Sequence, residues 1–195
     1  MQEALPTDGR TLRSLRTREA IVDATIGLLE EGDLRPTAPR VAGRAKVSVR
    51  SVFQHFDDLE TLHAAVAERL VDRVAVLVLP VPPELPLAER LDRFVHQRAL
   101  LLEAVTPIRR AADVHGPFSP EITARLRDGQ AFLREELVRT FDPELQAAGE
   151  TRADVLDCLD SALSWATWEG LRHGLGRDQA TAERVVRRLA ERALR

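Results

Sequence analysis

Apolar residues recur every three or four positions along nearly the whole chain, and this period restricts the fold more than any other feature. Within residues 17–33 the positions with this spacing are Ile21, Ala24, Thr25, Leu28 and Leu29. They share one face of a helix that Gly32 ends. No segment shows the alternation of apolar and polar residues that is typical of a half-buried strand. The sequence therefore predicts an all-α protein of about nine helices.

The same period, together with helix start and stop signals, divides the chain. A short second helix follows Thr37, a third runs from Ser48 to Phe56, and a capping box Asp57-x-x-Glu60 opens a fourth. The proline-rich stretch "PVPPELP" (80–86) is the clearest boundary. Later helices are predicted at roughly 87–104, 107–115, 120–141, 152–174 and 179–194. We expect a basic arm (1–16), a small helical head (17–62) and a larger helical body (63–195).

The charge is unevenly distributed. Residues 10–56 contain nine Arg or Lys and five Asp or Glu, which gives this segment a net charge of +4. Since the whole chain has a net charge of −3, the rest of the chain has a net charge of −7. A basic segment on an acidic protein is typical of a nucleic-acid-binding head. A chance cluster of arginines is the alternative.

The composition of the chain and its cysteine count restrict the cellular location that we expect for it. At 44% apolar and 30% charged residues the chain has the composition of a globular protein. Its longest apolar run, Val74–Leu79, is too short to cross a bilayer. The first residues lack a secretory signal, and the single Cys158 cannot form an intrachain disulfide. We therefore expect a cytoplasmic protein.

The segment "VSVRSVFQHF" (47–56) has two different faces. Val47, Val52 and Phe56 form an apolar side. The other side offers Arg50, Ser51, Gln54 and His55. Two short helices with a tight turn between them match a helix-turn-helix, whose second helix enters the major groove. An ordinary three-helix packing unit with a solvated polar face remains the alternative.

Residues 17–62 resemble the DNA-binding head of the tetracycline-repressor (TetR) family of bacterial regulators. The likeness lies in "VSVRSVFQHF", in Thr37 at the start of helix 2 and in Gly32 at the end of helix 1. It implies three head helices and a larger helical body that dimerises and often holds a small-molecule pocket. The DNA-binding residues expected on this basis are Thr37, Arg40, Lys46, Ser48, Val49, Arg50, Ser51, Phe53, Gln54 and His55. Arg50 is the best placed for a bidentate contact to guanine.

The chain departs from the family pattern at three positions. Lys46 stands where the family usually has Gly, so either Lys46 adopts a left-handed conformation or the turn is altered. Phe53 replaces a usual Tyr and loses its hydroxyl, and Leu59 replaces a residue that is often basic. We expect backbone affinity to depend more on the arm. Its residues Arg10, Arg13, Arg16 and Arg18 can follow the minor groove or the phosphates, unless the arm is only a solvated tail.

The last two predicted helices have wide apolar faces, which suggests a four-helix dimer interface with a second copy. The expected interface residues are Val155, Leu159, Ala162, Trp165, Trp168, Leu171, Val185, Val186 and Leu189. Trp168 is the expected anchor. Alternatively, these helices only close the core of their own subunit.

Polar residues among the apolar ones of the body are candidate effector anchors, although the sequence identifies no effector. They are His96, Arg98, Glu103, Arg109, Arg110 and His115.

Signals for catalysis are weak. The pair Glu60-x-x-His63 has the spacing of a di-iron ligand pair but lacks a second pair, so Glu60 is better read as a cap and His63 as a surface group. Cys158 is expected to be a packed thiol. Phosphate loops, nucleotide fingerprints and zinc spacings are missing.

These observations predict a non-enzymatic, cofactor-free homodimer that represses transcription from a pseudo-palindromic double-stranded DNA operator and is released by a small-molecule effector. An effector-independent DNA-binding dimer is one alternative. A helical adaptor or enzyme with a relic DNA-binding head is the other.

Overall fold

The computed structural model describes residues 9–195, in which no strand occurs. Ten α-helices lie in that part of the chain: α1 (Gly9–Glu30), α2 (Ala38–Ala45), α3 (Val49–His55), α4 (Leu59–Ala75), α5 (Leu87–His115), α6 (Pro120–Thr140), α7 (Asp142–Ala147), α8 (Arg152–Ala162), α9 (Trp165–Glu169) and α10 (Gln179–Ala193). Gly116–Phe118 and Gly149–Thr151 are short 3₁₀ helices, and Gly170–Gly174 is a π-helical turn. The all-α prediction is confirmed.

The chain forms two compact units. The first contains the described residues up to Arg73 together with Pro107–His115. The second contains Val74–Thr106 and Gly116–Arg195. Helix α5 therefore contributes residues to both units.

The first unit has its own apolar core, made by the inward faces of α1 to α4 and the last turns of α5. Its buried members are Ile21, Val22, Ile26, Leu28, Leu29, Val41, Ala42, Val52, Phe56, Leu62, Ala65, Val66 and Ala111. Because α2 contributes only Val41 and Ala42 to this core and α3 only Val52, α1 and α4 supply most of the surface that holds them.

The second unit is built around the inward faces of α5 to α10. Its core comprises Val81, Leu91, Phe94, Val95, Ala99, Leu101, Leu102, Leu137, Phe141, Leu145, Leu159, Leu163, Trp168, Ala182, Val186 and Ala190. Phe94 and Phe141 meet edge to face with ring centroids 5.4 Å apart. Ser119 caps α6 as the sequence predicts, by accepting a bond from the Ile122 N–H, and Pro120 is its first residue.

Helix α1 begins earlier than the sequence suggests. Residues 9–16, predicted as part of an arm, are the first turns of this helix, while residues 1–8 lie outside the described residues. Arg10, Arg13 and Arg16 are exposed on it. The basic side chains in this segment therefore extend from a helix, not from an extended strand of chain.

Helix α5 is continuous where two helices, 87–104 and 107–115, are predicted. Pro107 lies inside it. Proline removes one N–H donor from the helical ladder, and the Thr106 hydroxyl donates to the Leu102 carbonyl at 2.6 Å. Burial of Leu102 on one side and Ala111 on the other gives both halves of the helix packing that offsets the missing bond.

The predicted helix 152–174 is interrupted. Leu163 ends α8, and Ser164 has an extended ψ of 157° and caps α9 by accepting a bond from the Thr167 N–H. A side-chain oxygen that satisfies a free N–H of a new first turn competes with continuation of the old helix. The apolar period continues across this break, which is why it does not reveal the interruption.

The start of α4 also differs from the prediction. The Asp58 carboxylate, not that of Asp57, accepts bonds from the N–H and hydroxyl of Thr61, at 2.7 and 2.8 Å. These bonds lower the pKa of Asp58. The cap therefore lies one residue later than the predicted box.

Candidate nucleic-acid interface

The turn between α2 and α3 is a left-handed helix end. Lys46 has φ 56° and ψ 40°, and its N–H and that of Val47 donate to the carbonyls of Gly43 and Ala42 at 3.3 and 3.0 Å. This pair of bonds is a Schellman motif, in which the residue with positive φ is usually Gly. Of the two outcomes expected for Lys46, the structure has the left-handed one.

Helix α3 starts where the sequence predicts. Ser48 has an extended ψ of 154°, and its hydroxyl oxygen accepts the Ser51 N–H at 3.0 Å. Val52 and Phe56 are buried in the core of the first unit. The cap and these two anchors fix which side of α3 is free.

The free side of α3 combines apolar and polar groups. Val49 and Phe53, one turn apart, are 40% and 48% exposed. Arg50 and Gln54 are exposed beside them, while Ser51 and His55 are half-buried. Such a surface can offer hydrogen bonds to base edges together with apolar contact to a thymine methyl group.

The two arginines of α2 are already ion-paired. Arg40 Nη1 lies 3.0 Å from Asp33 Oδ2, and Arg44 Nη1 lies 2.7 Å from Glu31 Oε2. The Arg40 contact is an ion pair without hydrogen-bond geometry, since Asp33 Oδ2 is buried and accepts no bond within the described residues. Phosphate binding by either arginine would compete with a carboxylate near the end of α1.

Thr37 occupies the N-cap position of α2. Its φ and ψ are extended and its carbonyl accepts the Val41 N–H at 3.0 Å. Its side chain is exposed and makes no cap hydrogen bond. The hydroxyl can therefore serve a phosphate oxygen at this helix start.

Arg18 on α1 is fixed against α3. Its guanidinium carbon lies 4.9 Å from the ring centroid of Phe56, a cation–π contact. Arg18 thus joins α1 to the end of α3, a role that the sequence pattern did not indicate.

His63 is half-buried, so the prediction of a surface group is wrong. Its ring centroid lies 5.2 Å from that of His115, whose Nε2 is 3.1 Å from the Leu34 carbonyl oxygen. Burial, and then the neighbouring His115, lower the pKa of His63, while Glu60 opposes the shift. The pair belongs to the interior of the first unit because both helices pack there.

The nine expected interface residues separate into two groups. Leu159, Ala162, Trp168 and Val186 are buried within their own chain. Trp168 is only 1% exposed, and its Nε1 donates to Glu103 at 2.8 Å. In this arrangement it has no free surface with which to anchor a partner.

The other five interface candidates keep accessible surface. Leu189 is 44% exposed, and Val155, Trp165, Leu171 and Val185 are half-buried. Cys158 on α8 is also exposed, not packed as expected.

The candidate effector anchors lie in different places. His96 contacts Glu183 at 3.1 Å, Glu103 binds Trp168 and Arg172, and Arg109 pairs with Asp113 at 3.0 Å. Arg110 is half-buried on α5, and His115 lies beside His63. Arg98 alone in this set is both buried and beside a cavity, of about 10 Å³, in the part of the chain that the structure describes.

Among residues 9–195, no three His, Cys, Asp or Glu side chains come together as metal ligands. Over the same range, no helix combines the length and the apolarity that crossing a bilayer requires.

Neither a family model nor a curated protein matches the chain. The chain is similar to the crystal structure of a protein from Mesorhizobium loti MAFF303099 that is assigned to the TetR family of transcriptional regulators. The TM-score is 0.65 at 19% sequence identity, over 93% of this chain and 96% of that one. The chain therefore has the fold of that protein.

Proposed function

We propose that this protein is a sequence-specific DNA-binding transcriptional regulator, with residues 17–62 as its DNA-binding domain and residues 63–195 as its dimerisation domain. The observation that carries the proposal is the free side of α3. It is fixed by a cap and two buried anchors, and it exposes Val49, Arg50, Phe53 and Gln54. The fold shared with an assigned transcriptional regulator supports the same reading.

The proposed contacts have different roles. Arg50 and Gln54 reach base edges, and Val49 and Phe53 make apolar contacts in the groove. Thr37, Lys46 and Ser48 serve phosphates at the ends of α2 and α3. Arg40, Ser51 and His55 complete the surface, with Arg40 exchanging Asp33 for a phosphate.

The proposed assembly is a homodimer through α8, α9, the π-helical turn after α9, and α10. A dimer places two copies of α3 on the two halves of a pseudo-palindromic site. The contact residues proposed are those that keep accessible surface: Val155, Trp165, Leu171, Val185 and Leu189. Leu189 is the central one because it is the most exposed of the five.

The finer parts of the proposal are repression, release by an effector and a cytoplasmic location. Binding over a promoter blocks transcription, and an effector that prefers the unbound conformation shifts the protein off its site. A non-enzymatic role is also part of the proposal, and the fold shared with an assigned transcriptional regulator supports it.

One observation favours an effector-independent dimer as a second candidate. The cavity beside Arg98, of about 10 Å³, holds no more than one water. An effector that binds beside Arg98 would have to open this cavity, whereas a regulator without an effector needs no cavity.

The test is selection of bound sequences from a random DNA pool with the purified full chain. A two-fold symmetric site is the expected result, and it would support both the DNA-reading face and the dimer. Binding that is weakened by salt but shows no sequence preference would contradict the proposal and favour an adaptor or enzyme with a relic head.

Arg50→Ala then assigns the main contact. It should relax the preference at one base position of each half-site by about 1–3 kcal/mol. Arg93→Ala is the matched control, because Arg93 is an exposed arginine of the second unit that pairs with Glu89 on its own helix. A uniform loss of affinity with unchanged preference would assign Arg50 to the phosphates.

A further inference from the structure

Two buried arginines on α5 have unequal partners. Arg90, 4% exposed, donates to the carbonyls of Leu85 and Thr140 and to both carboxylate oxygens of Glu144. Arg98, 5% exposed and two turns later, makes one side-chain hydrogen bond within residues 9–195, from Nη2 to the Leu133 carbonyl at 3.2 Å. A guanidinium has five N–H donors, so Arg90 is satisfied and Arg98 is not.

The acids near Arg98 do not make up the difference. Glu136 is paired with Arg139, and Asp160 accepts bonds from Arg134 at 3.0 Å and Gln130 at 2.7 Å. They act on Arg98 only through longer-range attraction, and burial still lowers the pKa of Arg98 to about 10. A buried cation in this position is costly unless an anion or several acceptors pair with it.

The guanidinium also lies beside an apolar space. Arg98 lines the cavity of about 10 Å³ together with the apolar residues Leu77, Val78, Phe94, Leu101 and Leu133 and the polar residues Gln97 and Glu136. Its guanidinium carbon is 4.9 Å from the Phe94 ring centroid. Five of these eight residues are apolar, and the Glu136 carboxylate is paired with Arg139. Arg98 is therefore the lining group that can pair with the anionic end of a ligand whose body is apolar.

One wall of this cavity is irregular chain. Leu77 and Val78 lie between α4 and α5, outside any α-helix. The Leu79 N–H donates to the Gln97 side-chain oxygen at 3.1 Å, and the side chains of Val76 and Leu79 are exposed. Movement of this short segment would enlarge the cavity at the cost of the bonds from the Leu77 and Val78 N–H groups to the carbonyls of Val74 and Ala75 at the end of α4, at 2.9 and 3.3 Å.

We infer that Arg98 is the anchor of a binding site for an apolar carboxylate, which enters between α5, α6 and residues 77–78. The carboxylate takes two N–H donors of Arg98, and the apolar part of the ligand displaces Leu77 and Val78 and packs on Phe94 and Leu101. The inference rests on the proposed function in one respect: it gives the effector of that proposal a chemical class.

The test uses the full chain without DNA and three straight-chain probes: hexanoate, octanoate and decanoate. Isothermal titration calorimetry should give saturable binding of at least one, with one site per chain. The alcohol of the same length should bind at least about tenfold more weakly, because it lacks the charge that Arg98 pairs with.

Variants identify the anchor. Arg98→Met, which fills a similar volume without charge, should weaken carboxylate binding about 10- to 100-fold and leave alcohol binding unchanged. Arg98→Lys keeps the charge without the fork and should lose less. Arg93→Met is the control on the same helix and should bind as the original chain does.

Three results would contradict the proposed binding site. No saturable binding of any probe, equal binding of acid and alcohol, or unchanged binding by a folded Arg98→Met would overturn the site. If Arg98→Met does not fold, the acid-to-alcohol ratio and Arg98→Lys decide.

Titration of the selected DNA separates the two proposals. If a carboxylate binds but leaves the DNA affinity unchanged, its role as the effector is refuted, while the Arg98 binding site is supported. If a carboxylate binds but the protein shows no DNA sequence preference, the proposed regulatory function is refuted, while the Arg98 binding site is supported.

Discussion

Replacing Lys46 with glycine should make the protein more stable. Lys46 is left-handed at φ 56°, and a side chain in that conformation costs about 1–2 kcal/mol. Glycine has no such cost, but it loses about 0.5–1 kcal/mol more conformational freedom on folding. The difference predicts a gain of about 0.5–1 kcal/mol, because the two bonds that close the turn involve only backbone groups.

Comparing Lys46→Gly with Lys46→Ala, by urea denaturation and by thermal unfolding, isolates the effect of the left-handed backbone conformation on stability. Both variants lack the charge, and only the alanine keeps the strained geometry. We expect the midpoint of thermal unfolding of Lys46→Gly to rise by about 1–4 °C, from about 2–4 °C per kcal/mol in a chain of this size. If Lys46→Gly is no more stable than Lys46→Ala, the turn stores no strain and this reasoning is wrong.

The same pair of variants tests the charge. If each Lys46 neutralises one phosphate, the slope of log affinity against log salt should fall by about 0.9 per chain, or about 1.8 for a homodimer. Both variants should show the same fall, since they lack the same ammonium. An unchanged slope would place Lys46 away from DNA.

Three more outcomes follow from particular side chains. Leu189→Arg should convert the proposed dimer into a folded monomer, measured by light scattering with circular dichroism as the control; a retained dimer mass would reject α10 as the interface. Ser48→Ala should lower the free energy of unfolding by about 1 kcal/mol in urea, because the Ser51 N–H loses its acceptor; no loss would mean that water replaces the cap. His63 has a lowered pKa, so below about pH 6.5 the unfolded chain binds a proton that the folded chain does not, and stability should decrease as the pH falls. His63→Gln should flatten that decrease between about pH 7 and 5, and an equal pH dependence of both proteins would refute the assignment.

The helical pattern predicted α2, α3 and the turn between them because each depends on local signals. Ser48 caps α3 through a residue three positions away, and Val52 and Phe56 have only one face on which they can be buried. The position of Lys46 in the turn was likewise readable, since a Schellman end requires positive φ at one residue.

Other parts of the structure depend on long-range contacts, which the spacing of apolar residues along the sequence does not reveal. The apolar face of α8 and α9 looks the same whether it packs on a partner or on its own chain, and only the structure shows that Trp168 donates to Glu103 within the second unit. The break at Ser164 had a local signal, Ser164-x-x-Thr167, but it lies inside an unbroken apolar pattern. Arginine side chains are normally exposed, so the burial of Arg98 could not be predicted from the sequence.

The ion pairs of α2 change how the basic charge of the first unit contributes to the proposed DNA affinity. Arg40 and Arg44 must give up Asp33 and Glu31 before they can meet phosphates, and those carboxylates would then lie near the backbone. Their net contribution is therefore smaller than that of an arginine without an acid beside it. Among the described residues of α2, α3 and the turn, only Lys46 and Arg50 are basic side chains without such a partner. If α3 faces DNA as proposed, a single substitution at Lys46 or Arg50 should therefore cost more affinity than one at Arg40.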